Sequence, residues 1–162
     1  MCIRDRYAAV RIASLPEIRP LVADWDFVAG SARSALEIDI DDKLMQTMVA
    51  SKVELVEPDE KLERTWARIK KGHANLGGQL ELLEAIQRRN PGVRQMREWL
   101  LQTFPVLANE RRLADFITEV NRVRETGNQG ILGSVGERSA REAIDGTSDL
   151  LAFLHRVTRR ES

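Results

Sequence analysis

Apolar positions in this chain recur mostly at three- and four-residue intervals. Leu21, Val22, Trp25, Val28, Ala29, Ala32 and Leu36 share one face of a helix at that period, giving the first predicted element. Before it, Pro16 and Pro20 interrupt the backbone. Val10 and Ile12 alternate with small or polar neighbours too briefly to define a strand, so residues 1–20 read as an irregular leader. Leu36-Glu37-Ile38-Asp39-Ile40-Asp41 alternates strictly, which suits a strand or an extended connection, with Asp41 capping the next helix. From Asp42 to about Val56, Leu44, Met45, Met48, Val49, Val53 and Val56 form a second helical stripe. Pro58 then starts a third helix that turns Leu62, Trp66 and Ile69 inward.

Gly72, Gly77 and Gly78 are expected to bracket the end of that third helix. Leu80, Leu83 and Ile86 continue as a fourth until Asn90-Pro91-Gly92, and Val93, Met96, Leu100, Leu101 and Phe104 make a fifth that Pro105 ends. Asn109 is positioned to cap a sixth helix, whose inward stripe is Leu113, Phe116, Ile117, Val120 and Val123. A glycine-rich bend is predicted over residues 127–133, Gly-Asn-Gln-Gly-Ile-Leu-Gly. Ser139-Ala140-Arg141-Glu142 then has the form of a capping box opening a last helix with Ala143, Ile144, Leu150, Leu151, Leu154 and Val157 inward. The fold class implied is all-α: a bundle of about six to seven helices, in one domain over residues 21–162, with no internal repeat.

Composition narrows the classes of function. A chain of 162 residues with 43% hydrophobic content can bury roughly two thirds of its unfolded surface, so a true core is expected. The 25 basic and 25 acidic residues balance, so no bulk field draws the protein to nucleic acid or an anionic bilayer, and any RNA contact must come from a local patch. No apolar run approaches the roughly 18 residues that span a membrane, and the start lacks the layout of a secretion signal, so no membrane association and a cytoplasmic location are expected. A single cysteine, Cys2, excludes an internal disulfide and a thiolate metal cluster. Residues 1–6, Met-Cys-Ile-Arg-Asp-Arg, resemble translated adaptor at the start of gene predictions from metagenomic assemblies; on that reading the true N-terminus lies elsewhere.

Few residues are arranged for chemistry. Glu37, Asp39, Asp41 and Asp42 form an acidic cluster that would suit a hard cation, but nothing basic completes a nuclease constellation, so no metal and no cofactor is expected. Gly127, Gly130, Gly133 and Gly136 recur every third residue, yet a phosphate loop would follow a strand and carry a lysine, and this run does neither. Trp25, Trp66 and Trp99 lie in or beside helical stripes and read as core anchors, and His155 as a surface histidine.

The stretch from Val123-Arg124-Glu125-Thr126-Gly127-Asn128 through a small-residue turn, the Ser139–Glu142 cap and Leu150-Leu151-Ala152-Phe153-Leu154 resembles the HEPN superfamily of small helical domains. The likeness covers about residues 90–162, and is to the prokaryotic branch found beside nuclease, helicase and other defence-type modules. It implies a helical bundle that pairs with itself or a partner protein, and in active members a metal-independent ribonuclease built on an arginine and a histidine. Here Leu132 stands where that histidine would be, and leucine has no titratable proton for acid-base work. The expectation is therefore a non-catalytic binding or dimerisation module, with Arg124 and Asn128 as binding residues for a phosphate or carboxylate. A plainer reading makes Gly127 a helix terminator and Arg124 a cap for final-turn carbonyls. The enzyme alternative rests on Arg68 and His73, separated by Ile69-Lys70-Lys71-Gly72, the spacing associated with active HEPN ribonucleases; the plain reading there is a basic helix C-terminus. A third alternative is a structural helical adaptor unrelated to that family.

Overall fold

A computed structural model describes residues 24–131, 133 and 135–159, so the leader, Leu21, Val22 and Leu132 lie outside the described residues. The element order is α1 (Trp25–Ile40), a π-helical stretch (Asp41–Met45), α2 (Gln46–Ala50), α3 (Glu60–Lys70), α4 (Leu76–Gln87), a 3-10 turn (Pro91–Val93), α5 (Arg94–Thr103), α6 (Pro105–Ala108), α7 (Glu110–Ile131) and α8 (Glu137–Thr158). The described residues contain no strand, and the fold class is all-α as the apolar spacing predicts.

Neither the strand nor the extended connection expected at Leu36–Asp41 forms. Leu36, Ile40, Leu44 and Met48 recur every four residues and are all buried, so α1, the π stretch and α2 run on as one rod. The π stretch is marked by the Gln46 N–H reaching the carbonyl of Asp41, five residues back. Helical burial of every fourth residue has overridden the two-residue alternation. The rod ends at Ala50, short of the expected Val56, where Lys52 takes a positive φ of 58°.

The rod is the element that the long C-terminal helices share. α1 packs most heavily on α7 and α8, α7 also contacts α4, and α3 leans on α4. α7 and α8 meet each other as their stripes predict, with the Phe116 and Phe153 rings 5.9 Å apart between centroids. Leu113, Phe116, Ile117, Val120, Val123, Ala143, Leu150 and Leu154 all belong to one core with Leu36, Ile40 and Leu44. Leu151 is half-buried against that core, and Leu101, expected inward, is 47% exposed.

The predicted glycine bend at 127–133 is corrected by the structure: α7 continues to Ile131, and Gly127 does not terminate it. Gly127 and Gly130 lie on the α7 face that crosses α1. A Cβ on Gly127 would stand 2.7 Å from Cβ of Arg33, and one on Gly130 would stand 2.8 Å from the carbonyl oxygen of Asp26. The glycines are there for close helix approach, and the turn comes later, at Gly133 with φ of +72°. Asp26 fixes that turn by accepting the Val135 N–H at 2.9 Å. Ser139 is not the cap of the last helix: α8 starts at Glu137 with Gly136 as N-cap and no side-chain cap bond. Asn109 does cap α7, its side-chain Oδ1 accepting the Arg112 N–H at 3.2 Å. Gly77 and Gly78 fall inside the first turn of α4, leaving Gly72, φ +73°, to end α3.

Candidate functional site

Three helices bring polar faces together around a cavity of about 440 Å³. α3 begins at Asp59, whose carboxylate accepts the Leu62 N–H at 2.8 Å. With Leu62, Trp66 and Ile69 committed to the core, Lys61, Thr65 and Arg68 share the neighbouring face at intervals of four and three and line the cavity. α4 begins at Asn75, which accepts the Gly78 N–H at 2.8 Å, and contributes Gly77, Gly78, Glu81 and Glu84. α7 contributes Asn121 and Arg124.

The arrangement is asymmetric in charge. Glu81 is already engaged, accepting from Thr65 Oγ1 at 3.1 Å and pairing with Lys61 Nζ at 3.5 Å. Arg124 has a buried Nε without a hydrogen-bond partner, and neither it nor Arg68 has an ion pair among the described residues. The Arg124 guanidinium lies against the first turn of α4: Nη2 and Nε are 3.2 and 3.4 Å from where a Cβ on Gly77 would stand. That turn is the positive end of the α4 dipole, so a cation there is disfavoured unless an anion joins it. On the far side Glu37 of α1 takes the Leu76 N–H at 2.7 Å, and Gly78 and Gln79 bond back to Asn75. The Gly77 N–H has no partner among the described residues. Two arginines and a helix terminus thus face one space that the Lys61–Glu81 pair and the Glu84 carboxylate also line, and the guanidinium donors have the geometry to hold an oxyanion. No histidine or cysteine lines it.

Of the residues singled out from the sequence, the structure brings Arg68 and Arg124 together on this cavity, though 56 positions separate them. It does not bring in the other two. His73 is exposed beyond the end of α3, its N–H donating to the carbonyl of Arg68 at 2.9 Å, and it does not line the cavity. Asn128 is half-buried within α7, one turn past Arg124, and is also absent from the lining. Lys61, Asn75, Gly77 and Asn121 were missed. Lys61, Thr65 and Arg68 had a readable signal in their common helical face, but nothing local announces that α7 closes the space.

The acidic cluster does not converge. Glu37 caps α4, Asp39 pairs with Lys43 at 2.9 Å, Asp41 accepts from Gln46 Nε2 at 3.1 Å, and Asp42 is exposed. Among the described residues no three His, Cys, Asp or Glu side chains are grouped to hold a metal ion. Two tryptophans act as anchors: Trp66 is buried with its indole N–H on Glu54, and Trp99 bonds Ser51 and meets Phe104 edge-on at 5.5 Å. Trp25 is half-buried outside the core, with the Arg141 guanidinium 5.7 Å from its ring centroid. His155 is exposed on the last turn of α8, as expected. Among the described residues no helix is long and apolar enough to cross a membrane. No protein-family model, curated protein or solved structure matches the chain.

Proposed function

We propose that this chain is a non-catalytic helical binding module whose cavity between α3, α4 and α7 receives the anionic group, phosphate or carboxylate, of a ligand. The observation that carries this reading is Arg124: a guanidinium with a buried, unpartnered Nε, held against the positive end of α4 and sharing its cavity with Arg68 and Lys61. An unpaired polar atom withdrawn from water costs on the order of 1–3 kcal/mol, which a bound oxyanion would offset. Kinship with HEPN-like domains belongs to the same proposal. Its support is that Arg124, the residue the resemblance marks for recognition, stands at this cavity, on one of two long helices that pair. Binding of a ligand is favoured over dimerisation because Leu101 and Val106 are the large hydrophobics exposed among the described residues, and a stable dimer face buries about 800 Å² per partner. Ribonuclease action through Arg68 and His73 lacks support of this kind, since His73 is outside the cavity.

The test is thermal and calorimetric titration with inorganic phosphate, and separately with acetate, at matched ionic strength. A millimolar site at fiftyfold excess of ligand stabilises the folded chain by about 2 kcal/mol. That gain is expected for the parent and is lost in Arg124→Gln and reduced in Arg68→Gln; the stronger of the two anions identifies the group. Equal stabilisation of the parent and Arg124→Gln would overturn the reading.

A further inference from the structure

A second arrangement lies away from that cavity, where α4 runs out, α5 begins and α7 starts. Leu101, 47% exposed, lines a hollow of about 260 Å³ whose floor includes Leu100, Ala108 and Leu113. Val106, 45% exposed, stands two residues before Ala108 on α6. Arg89 and Arg97 are on the same wall, and neither has an ion pair among the described residues. Arg89 holds a φ of +58°, a conformation that glycine adopts freely at the end of a helix and that other residues enter at a cost of about 1 kcal/mol. The conformation belongs to the turn that ends α4, in which the Arg89 and Asn90 N–H groups donate to the carbonyls of Ile86 and Ala85, and it leaves the arginine side chain on the wall of the hollow.

Two guanidinium groups, Arg89 and Arg97, face this hollow against the single carboxylate of Glu110 at the start of α7, whereas Arg111 and Arg112 line a separate hollow. An excess of unpaired guanidinium around an exposed apolar spot is the composition of a protein-binding patch, in which arginine is enriched and an apolar anchor is buried at the centre. A nucleic-acid backbone would need the arginines but not the exposed leucine and valine. No aromatic ring lines the hollow to stack a base.

We infer that this hollow docks an acidic segment of a partner protein: one apolar side chain seats on Leu100, Leu101 and Leu113, and flanking carboxylates pair with Arg89 and Arg97. The volume admits a single leucine- or phenylalanine-sized side chain, which matches a short linear segment. The inference does not depend on the anion cavity, because the two linings share no residue.

The experiment is an amide-resolved NMR titration of the full chain with an end-blocked peptide carrying leucine between pairs of glutamates. Saturable shifts are expected at Leu100, Leu101 and Ala108, with a dissociation constant on the order of 0.1–1 mM for so small a contact. Arg97→Glu should weaken binding roughly tenfold, as charge reversal at a complementary interface does, and Arg97→Gln less. Leu101→Ser should weaken it about fivefold with an unchanged melting temperature, since its side chain is half in solvent. Several outcomes would overturn the inference: no saturable shift, equal binding of a peptide with glutamine in place of glutamate, or shifts at Gly77 and Arg124 instead. A DNA duplex displacing the peptide would assign the face to nucleic acid, and concentration-dependent shifts without peptide would assign it to a second copy; either also overturns it.

Discussion

Replacing Gly130 with alanine sets two effects of opposite sign against each other. Alanine inside a helix gains roughly 0.5–1 kcal/mol over glycine because the unfolded chain has less backbone freedom to lose. Against this, the new Cβ would lie 2.8 Å from the carbonyl oxygen of Asp26, a backbone atom that no rotamer change can move away. Ordinary carbon–oxygen contact requires α1 and α7 to separate by about half an ångström, and overpacking of that kind typically costs 1–3 kcal/mol. The clash wins, and Gly130→Ala should be destabilised by about 1–2 kcal/mol, a fall in Tm of roughly 2–8 °C for a chain of this length. Gly30→Ala and Gly146→Ala are the controls. Gly30 has nothing within 4 Å of its added Cβ and Gly146 only a Val123 methyl at 3.8 Å, so both should gain about 0.5–1 kcal/mol. Urea denaturation with an unchanged m-value measures all three on one scale. A Gly130→Ala chain more stable than its parent would refute the close helix crossing.

Other substitutions separate the remaining claims. Leu113→Asp places a carboxylate at a buried core position and should cost several kcal/mol, whereas Leu101→Asp, at a half-exposed position, should shift the denaturation midpoint little. Removing the Glu37 carboxylate as Glu37→Ala leaves the Leu76 N–H without its cap and is expected to cost about 1–2 kcal/mol by the same denaturation assay. Purified chain incubated with mixed RNA and a chelator should leave the RNA intact on a gel; cleavage that disappears in His73→Ala would contradict the non-catalytic reading.

Most of the core was legible in the sequence because it is written in a repeating period: Leu113, Phe116, Ile117, Val120 and Val123 could hardly be read another way. The errors occur where a local rule met a tertiary contact. Leu36 to Asp41 alternates like a strand, but Leu36 and Ile40 are also four residues apart, and the burial of that pair decided the outcome. Gly127 and Gly130 look like helix breakers until α1 is laid across them, and no sequence-local feature reveals the crossing partner. Asp26, which fixes the turn before α8 from 109 residues away, is invisible for the same reason. The cavity itself was less legible. Arg68 and Arg124 were singled out together with His73 and Asn128, their neighbours in sequence, but only the two arginines line the common cavity, and nothing local in the sequence shows that α3 and α7 share it.

Arginine side-chain NMR addresses the anion site most directly. In a chain labelled with ¹⁵N on arginine, the Nε–H signal that vanishes in Arg124→Gln should move on addition of inorganic phosphate or acetate, saturating with the midpoint found by calorimetry. If that signal stays fixed while the protein takes up the anion, the guanidinium against α4 is not the receptor, and the account of this cavity is contradicted.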